Sequence, residues 1–180
     1  MTLQPIIEGT SGLINYQWTF VDITVNVPVY SASYYSQSSY PTISPNNSTS
    51  VYIEYENSGN TPWFDDISYS TAPGGTANIY AIHLSTSHPI NRNSIFVSSG
   101  WYSASRPDLN FSAVYNSDGT TLSSNQHVVQ PGQIVKFSFN LTVSPNTPNG
   151  LYTEFFQPLA EGSMYGNFND PWTFLNVNVN

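Results

Sequence analysis

The 180-residue chain is long enough for one domain of ordinary size with a real hydrophobic core. It carries 11 acidic and three basic residues, a formal net charge of -8, so nucleic acid and anionic membranes are poor partners, because binding a phosphate backbone takes clustered Lys and Arg. No cysteine is present, which excludes a disulfide framework and any thiolate metal site.

The beginning of the chain matches its end. Two blocks recur in the same order: residues 4–9 (QPIIEG) match 157–162 (QPLAEG), and residues 18–26 (WTFVDITVN) match 172–180 (WTFLNVNVN). The offsets are 153 residues (157 − 4) and 154 residues (172 − 18), so chance is a poor explanation. We interpret residues 1–27 as the terminal hairpin of a preceding module and residues 28–180 as one complete module of the same kind.

Short strands separated by turn signals follow from residue 28 onward. The clearest strand is 134–143, in which alternate apolar residues face inward, and 49–56 alternates in the same way. Further strands are predicted at 29–35, 79–84, 151–156 and 172–179, with loops at 36–50 and 64–78 and turns at 57–63, 115–119, 130–133 and 145–150. Strands recurring in this way, without an amphipathic helix of ordinary length, predict an all-β sandwich, with the 172–179 strand antiparallel to 151–156.

Residues 85–112 form the longest irregular stretch, with apolar residues scattered among Ser, Asn, Arg and Pro. We expect a long packed loop with room for one helical turn. Such a loop is where a binding function is expected to lie.

Five short blocks carry a resemblance to a known family: residues 57–59 (NSG) followed by Trp63, then 129–132 (VQPG), 148–152 (PNGLY), 165–166 (YG) and Trp172. They cover about residues 49–180 and resemble the four-tryptophan (FW) immunoglobulin-like domain, found in autophagy cargo receptors and in many bacterial surface and secreted proteins. The motif positions are Asn57, Gly59, Trp63, Pro131, Gly132, Gly150, Tyr152 and Trp172. Two of the family's four tryptophans are Trp63 and Trp172, and Ile53 and Phe156 stand at the other two positions.

The segment 86–106 resembles an insertion in bacterial relatives of that family. The matching positions are Pro89, Arg92, Ser94, Phe96, Trp101, Arg106 and Pro107. The resemblance implies an immunoglobulin-like fold with a long irregular loop, standing as an accessory module beside other surface or cell-wall domains. It assigns no chemistry.

The candidate binding residues are Trp101, Tyr102, Arg106 and Arg92, all in this loop. A guanidinium there can stack on an aromatic ring or pair with Asp108. The favoured interpretation of the arginines is structural: they fasten the loop to the body of the domain. If the loop binds a ligand, replacing Trp101 by alanine is expected to abolish binding and leave the fold intact.

Several other residue groups have a structural and a functional interpretation, and the structural one is favoured in each case. Glu54 and Glu56 share one strand face at a spacing that suits a glycosidase, but a solvated face needs the same pattern. His83, His88 and His127 can form a zinc site only with Asp65 or Asp66, and no regular spacing supports one. The many tyrosines suit sugar binding, but tyrosine is also a good strand residue. Serine is too common to identify a nucleophile, and the elbow motif Gly-x-Ser-x-Gly does not occur.

These observations predict a non-enzymatic, immunoglobulin-like module of a repetitive cell-surface or secreted protein, acting as a spacer or adhesion unit. The expected partners are other modules of the same protein, and no cofactor or metal is predicted. Because no signal peptide is recognised at the N-terminus, we expect the chain to be part of a longer exported protein. The alternatives are a module binding a carbohydrate or a protein through residues 86–107, a phage or virus structural protein, and, least favoured, a hydrolase.

Overall fold

The computed structural model describes the backbone of residues 2–3 and 19–20, and the whole of residues 28–69, 80–162 and 168–180. Its elements in chain order are β1 (Thr2–Leu3), β2 (Thr19–Phe20), β3 (Ala32–Gln37), β4 (Thr42–Ile43), β5 (Ser48–Asn57), β6 (Trp63–Phe64), the helical turn α1 (Asp66–Tyr69), β7 (Ile82–Thr86), β8 (Ala113–Tyr115), β9 (Val128–Val129), β10 (Ile134–Thr142), β11 (Gly150–Ala160) and β12 (Thr173–Val179). The predicted loop tip at 72–75, the start of the 79–84 strand, the motif at 165–166 and most of the first 27 residues lie outside the described residues.

Eight strands form two four-stranded sheets. The first sheet has the order β3-β5-β10-β8, antiparallel throughout. The second has the order β4-β12-β11-β7, in which only β4 and β12 run parallel. The predicted antiparallel pairing of the closing strand with the strand from residue 151 is confirmed.

The two sheets enclose one hydrophobic core. Apolar residues at alternate positions of β5 and β10 face inward, as the period-two patterns predict: Val51, Ile53, Tyr55, Val135, Phe137, Phe139 and Leu141. The second sheet contributes Phe156, Leu175 and Val177. The hydroxyl of Tyr55 donates a hydrogen bond to the carbonyl oxygen of Phe156, 3.3 Å away in the opposite sheet. The chain is therefore an immunoglobulin-like β-sandwich, as predicted.

A tyrosine corner stands at the start of β11. The hydroxyl of Tyr152 donates to the backbone carbonyl of Pro148 at 2.8 Å, four residues upstream. This arrangement recurs in immunoglobulin-like sandwiches, where it pins the turn that leads into an inner strand. It gives Tyr152 of the 148–152 motif a structural role.

Two of the sequence motifs meet in space around Asn57. The buried side chain of Asn57 donates to the carbonyl oxygens of Thr61 at 2.9 Å and Val129 at 3.0 Å, and accepts from the amide of Gly59. The amide of Gly132 donates in turn to the carbonyl of Asn57 at 2.8 Å. A side chain at Gly59 would meet the carbonyl oxygen of Val29 at 2.2 Å, so only glycine fits there. The neighbouring Trp63 is fully buried, as predicted.

The structure corrects several predicted boundaries. β11 continues through Ala160, where the sequence predicts a loop, because its last five residues pair with β7. The first predicted strand, 29–35, lies instead at β3, and the predicted 36–50 loop contains β4. The helical turn lies at Asp66–Tyr69, and residues 85–112 contain none.

The short strands β1 and β2 pair with each other and form a sheet of their own. The division into residues 1–27 and 28–180 stays a prediction. No helix in the described part of the chain is long and apolar enough to cross a membrane.

Candidate functional site

The long loop turns three of its aromatic side chains into the core. Phe96, Trp101 and Phe111 are all buried, and Trp101 is only 8% exposed. The Trp101 ring contacts Phe139 and Phe156 edge-on, and its Nε1 donates to the carbonyl of Asn140 at 2.6 Å. The assignment of Trp101 to a binding surface is therefore corrected: its ring joins the two sheets. Tyr102, the next residue, is 73% exposed and stays a candidate.

The two loop arginines are fastened to glutamates of β11 and the turn that follows it. Arg92 pairs with Glu154 through Nη2 and Oε1 at 2.9 Å, and its Nε donates to the carbonyl of Ser87. Arg106 pairs through Nε with Glu161 and donates through Nη1 to Ser85 Oγ at 2.8 Å. The structural interpretation of both arginines is confirmed. The expected pairing of Arg106 with Asp108 is wrong, because the Asp108 carboxylate accepts from Ser112 and Asn110 instead.

A charged cluster joins four distant segments around His83 of β7. His83 Nε2 lies 2.9 Å from Asp66 Oδ1, and its Nδ1 lies 3.1 Å from Glu161 Oε1, which also contacts Arg106. Burial opposes charging of His83, but the hydrogen bonds to Glu161 and Asp66 outweigh it and raise the His83 pKa. The His83 contact, and then Arg106, lower the pKa of Glu161 to about 2, against the effect of its partial burial. At neutral pH Glu161 is therefore ionised.

A cleft of about 430 Å³ opens over this cluster. Tyr102, Asn91 and Leu109 complete its wall, so it contains two of the predicted binding residues, Tyr102 and Arg106. Both ring nitrogens of His83 are occupied by carboxylates, and Arg106 is occupied by Glu161 and Ser85. The cluster thus satisfies its own charges and acts as a clamp between α1, β7, the loop and the end of β11. Sequence reasoning missed it, because its members lie up to 95 residues apart (161 − 66).

The other two histidines have separate surroundings. His127 Nδ1 lies 2.7 Å from Oδ2 of the fully buried Asp65, whose other oxygen accepts from the amide of Ser68 in α1. His88 contacts the rings of Phe155 and Trp172. Within residues 28–69, 80–162 and 168–180, no group of three or more His, Asp or Glu side chains is placed to hold a metal ion.

The outer face of β5 is less solvated than its alternation predicts. Glu54 is nearly buried: Ser36 Oγ donates to it, and Lys136 Nζ lies 3.6 Å from Oε1. Lys136 also lies over the Tyr52 ring, 3.8 Å from its centroid. The interpretation of Glu54 as a solvated residue is therefore wrong, and its partners account for it without a catalytic role.

A row of aromatic rings lies on the outer face of the second sheet, and we call it the aromatic strip. It consists of Tyr40, Phe174, Phe155, Trp172 and His88. Successive ring centroids lie 6.0, 6.0, 5.8 and 4.8 Å apart. Trp172 is 43% exposed and Tyr40 is 50% exposed, whereas the Trp101 ring predicted in the loop is buried. Trp172, one of the motif positions of the family resemblance, therefore lies at the surface and not in the core.

No family model matches the sequence, and no curated protein matches it. Among solved structures, the CARDB domain of the PF1109 protein from Pyrococcus furiosus aligns with a TM-score of 0.39 and 10% identity, over 86% of this chain and 97% of that domain. PapD-like domain 7 of human CEP192 aligns with a TM-score of 0.34 and 13% identity, over 97% and 96% of the two chains. A family 123 glycoside hydrolase from Clostridium perfringens aligns with a TM-score of 0.37 and 9% identity, over 84% of this chain and 27% of that one. The fold assignment stands on the two sheets described above.

Proposed function

We propose that the protein is a non-catalytic immunoglobulin-like module of a repetitive cell-surface or secreted protein, in which similar modules follow one another as spacer or adhesion units. The observation that carries this proposal is a shared register in two hairpins. Thr2 pairs with Phe20 and Leu3 with Thr19 in the first hairpin.

The sequence repeat independently predicts which residues of the second hairpin correspond to these four. Shifting Thr2 and Leu3 by 153 positions gives Phe155 and Phe156, and shifting Thr19 and Phe20 by 154 gives Thr173 and Phe174. In the second hairpin, Phe155 pairs with Phe174 and Phe156 with Thr173. The equivalent residues thus have equivalent partners. A register slip of one residue would turn every side chain to the other face, so the agreement supports a true structural repeat.

The motif contacts support an FW-like module as the repeating unit. Asn57 links the 57–59 turn to the 129–132 turn, and Tyr152 closes the 148–152 turn. The histidine environment supports a non-catalytic role. Both nitrogens of the buried His83 are engaged by carboxylates, which leaves that ring no free position for accepting a substrate proton.

A tandem protein tests the proposal. Residues 1–180 are followed directly by residues 27–180, so that Asn180, equivalent to Asn26, is followed by Val27 as in the natural chain. We expect both copies to fold and to unfold under force in two equal events. Each event should lengthen the chain by about 500 Å, at roughly 3.5 Å per residue.

An out-of-phase tandem is the matched control. In this protein residues 1–180 are followed by 38–180, so the second copy lacks β3 and its ladder with β5. We expect one folded copy only. A single unfolding event from the in-phase protein, or equal behaviour of the two proteins, would contradict the module boundary at residue 28.

A further inference from the structure

The aromatic strip is an exposed apolar feature on regular structure. Its central pair, Phe155 and Phe174, is directly cross-strand on β11 and β12. Tyr40 stacks on Phe174 at an interplanar angle of 27°, and Trp172 meets Phe155 edge-on at 68°. Because Phe155 and Phe174 lie on two paired strands and the other rings pack against them, the strip is preorganised, which lowers the entropic cost of binding.

The two cross-strand pairs next to the strip are uncharged. The outward-facing partners next along the two strands are Thr153 with Asn176 and Leu151 with Asn178. The hydroxyl of Thr153 donates to Asn176 Oδ1 at 2.8 Å, which leaves the amide NH2 group of Asn176 for another acceptor. Exposed aromatic rings beside neutral hydrogen-bonding groups are a combination that ordinary solvent-facing sheet surfaces do not require.

We propose that the aromatic strip binds a neutral polysaccharide. The carbon-bound hydrogens of a sugar ring carry slight positive charge and pack on the negative face of an aromatic ring, while sugar hydroxyls bond to amides and hydroxyls. None of the outward-facing residues of this part of the sheet is charged: Leu151, Thr153, Phe155, Phe174, Asn176 and Asn178. A charged partner would lose its hydration here without gaining an ion pair, which disfavours such a partner.

Charge also argues against the two competing occupants. The chain has a formal net charge of -8, so an anionic glycan and a second copy of this chain both meet electrostatic repulsion. A neutral glycan meets none.

The repeat points to a polymer as the ligand. Trp18 and Phe20 are the residues equivalent to Trp172 and Phe174, so two aromatic positions of the strip recur in the other copy of the hairpin, whereas Thr2 stands at the position of Phe155. Tryptophan and phenylalanine rings repeated at these two positions along an array would engage one long chain at several places and gain avidity. This recurrence rests on the proposed function, whereas the strip of a single module does not.

Affinity electrophoresis of the full chain tests the proposal, with hydroxyethylcellulose, glucomannan, galactomannan and soluble starch as neutral probes and alginate as the anionic probe. Pull-down with insoluble cellulose and chitin completes the set. We expect at least one neutral polysaccharide to retard the protein and alginate to leave it unaffected. Trp172→Ala and Tyr40→Ala should each weaken that binding by about tenfold or more, and Trp172→Phe should retain most of it.

Tyr102→Ala is the matched control, because it removes an exposed ring that borders the cleft and not the strip. Circular dichroism and the urea midpoint establish that each variant is folded. The proposal is overturned if no neutral polysaccharide in the set binds, if both strip variants bind like the unchanged protein, or if only Tyr102→Ala abolishes binding. It is also overturned if light scattering shows a dimer that Trp172→Ala dissociates, since the strip would then bind a second copy.

If the tandem protein folds but no polysaccharide binds, the repeat stands and the strip proposal fails. If the single chain binds a neutral polysaccharide but the second copy of the tandem protein does not fold, the strip proposal stands and the proposal of a modular array fails.

Discussion

The long loop and the aromatic strip each present a tryptophan, and the two side chains have opposite roles. Trp101 belongs to an irregular, serine-rich segment that has the composition of a binding loop, yet its ring is buried between Phe139 and Phe156. Trp172 precedes a regular strand, yet it is 43% exposed. An irregular segment of this length must bury apolar residues to stay ordered, whereas each strand of a two-sheet sandwich turns one face away from the core. Irregularity alone is therefore poor evidence for a site.

The largest difference between the two regions is expected on replacing Trp101. Trp101→Ala removes a large buried ring and the hydrogen bond to Asn140, so we expect a loss of about 3–5 kcal/mol in the free energy of unfolding. Tyr102→Ala, one residue away and 73% exposed, should change it by at most about 0.5 kcal/mol. Urea denaturation measures both. Equal effects would mean that the loop is not part of the core.

The next largest effect is expected at the ion pair that fastens the loop. Arg92→Ala leaves the buried Glu154 carboxylate without its cation, and we expect a loss of about 2–3 kcal/mol at pH 7. Burial already raises the Glu154 pKa, with Arg92 opposing the rise, so without Arg92 the carboxyl protonates more easily. The loss should therefore shrink as the pH falls.

Glu154→Gln in the Arg92→Ala background is the control, because it removes the unpaired charge and should recover part of the stability. No recovery would show that the arginine acts through packing alone.

The His83 cluster predicts a pH dependence of the free energy of unfolding. The folded-state pKa of Glu161 is lowered from 4.5 to about 2, so its stabilising effect is complete above pH 4.5 and is lost as the pH falls toward 2. The folded-state pKa of His83 is raised above 6.5, so its effect is complete below pH 6.5 and is lost as the pH rises through the folded value. The urea midpoint should be highest between about pH 5 and 6.5.

Two variants distinguish the acid and the alkaline limb of the plot of urea midpoint against pH. His83→Gln should flatten the alkaline limb, and Glu161→Gln should weaken both limbs. Part of the acid limb should survive in the latter, because the pKa of Asp118 is also lowered to about 2 by hydrogen bonds from Thr121 and Thr120. If the urea midpoint of His83→Gln depends on pH as in the unchanged protein, the His83 cluster is not the cause of the pH dependence. Trp172→Ala should leave the shape of the profile unchanged.

The smallest stability effect is expected at the strip itself. Trp172→Ala loses edge contacts with Phe155 and His88, which are worth about 1 kcal/mol together. Thermal unfolding beside Trp101→Ala makes the comparison direct. If Trp172→Ala lowers the melting temperature as much as Trp101→Ala does, Trp172 contributes to stability like a core residue, and its proposed role in binding is contradicted.

The sequence-based predictions succeed where local alternation decides the outcome. β10 and β5 follow from strict period-two patterns, and the partner of β12 is the strand that precedes it in the chain, since consecutive strands usually lie side by side. Pro158 misleads, because proline argues against a central strand. Among the described residues, the part of β11 beyond Phe156 pairs with β7 only, so its other side is a sheet edge. An edge strand tolerates proline.

The sites could not be predicted in this way, because each depends on contacts between distant segments. The His83 cluster takes one residue from each of four segments, and none of the four has a neighbour in sequence that indicates its partner. The strip depends on the register that sets Phe155 opposite Phe174, and a shift of one residue would bury one ring. Composition gives the number of aromatic residues, but only the register determines which of them face outward.

The scarcity of basic residues makes trypsin a selective probe of this molecule. The whole chain has three basic residues, and the bond after Arg106 precedes proline and is not cleaved by trypsin, so two sites remain. Lys136 lies in β10, hydrogen-bonded to β5 on one side and β8 on the other, so cleavage there requires the sandwich to open. When the loop detaches from the core, the bond after Arg92 becomes accessible to trypsin and the bond after Lys136 does not. The rate of cleavage at this single bond in the folded protein therefore reports how often the loop leaves the core.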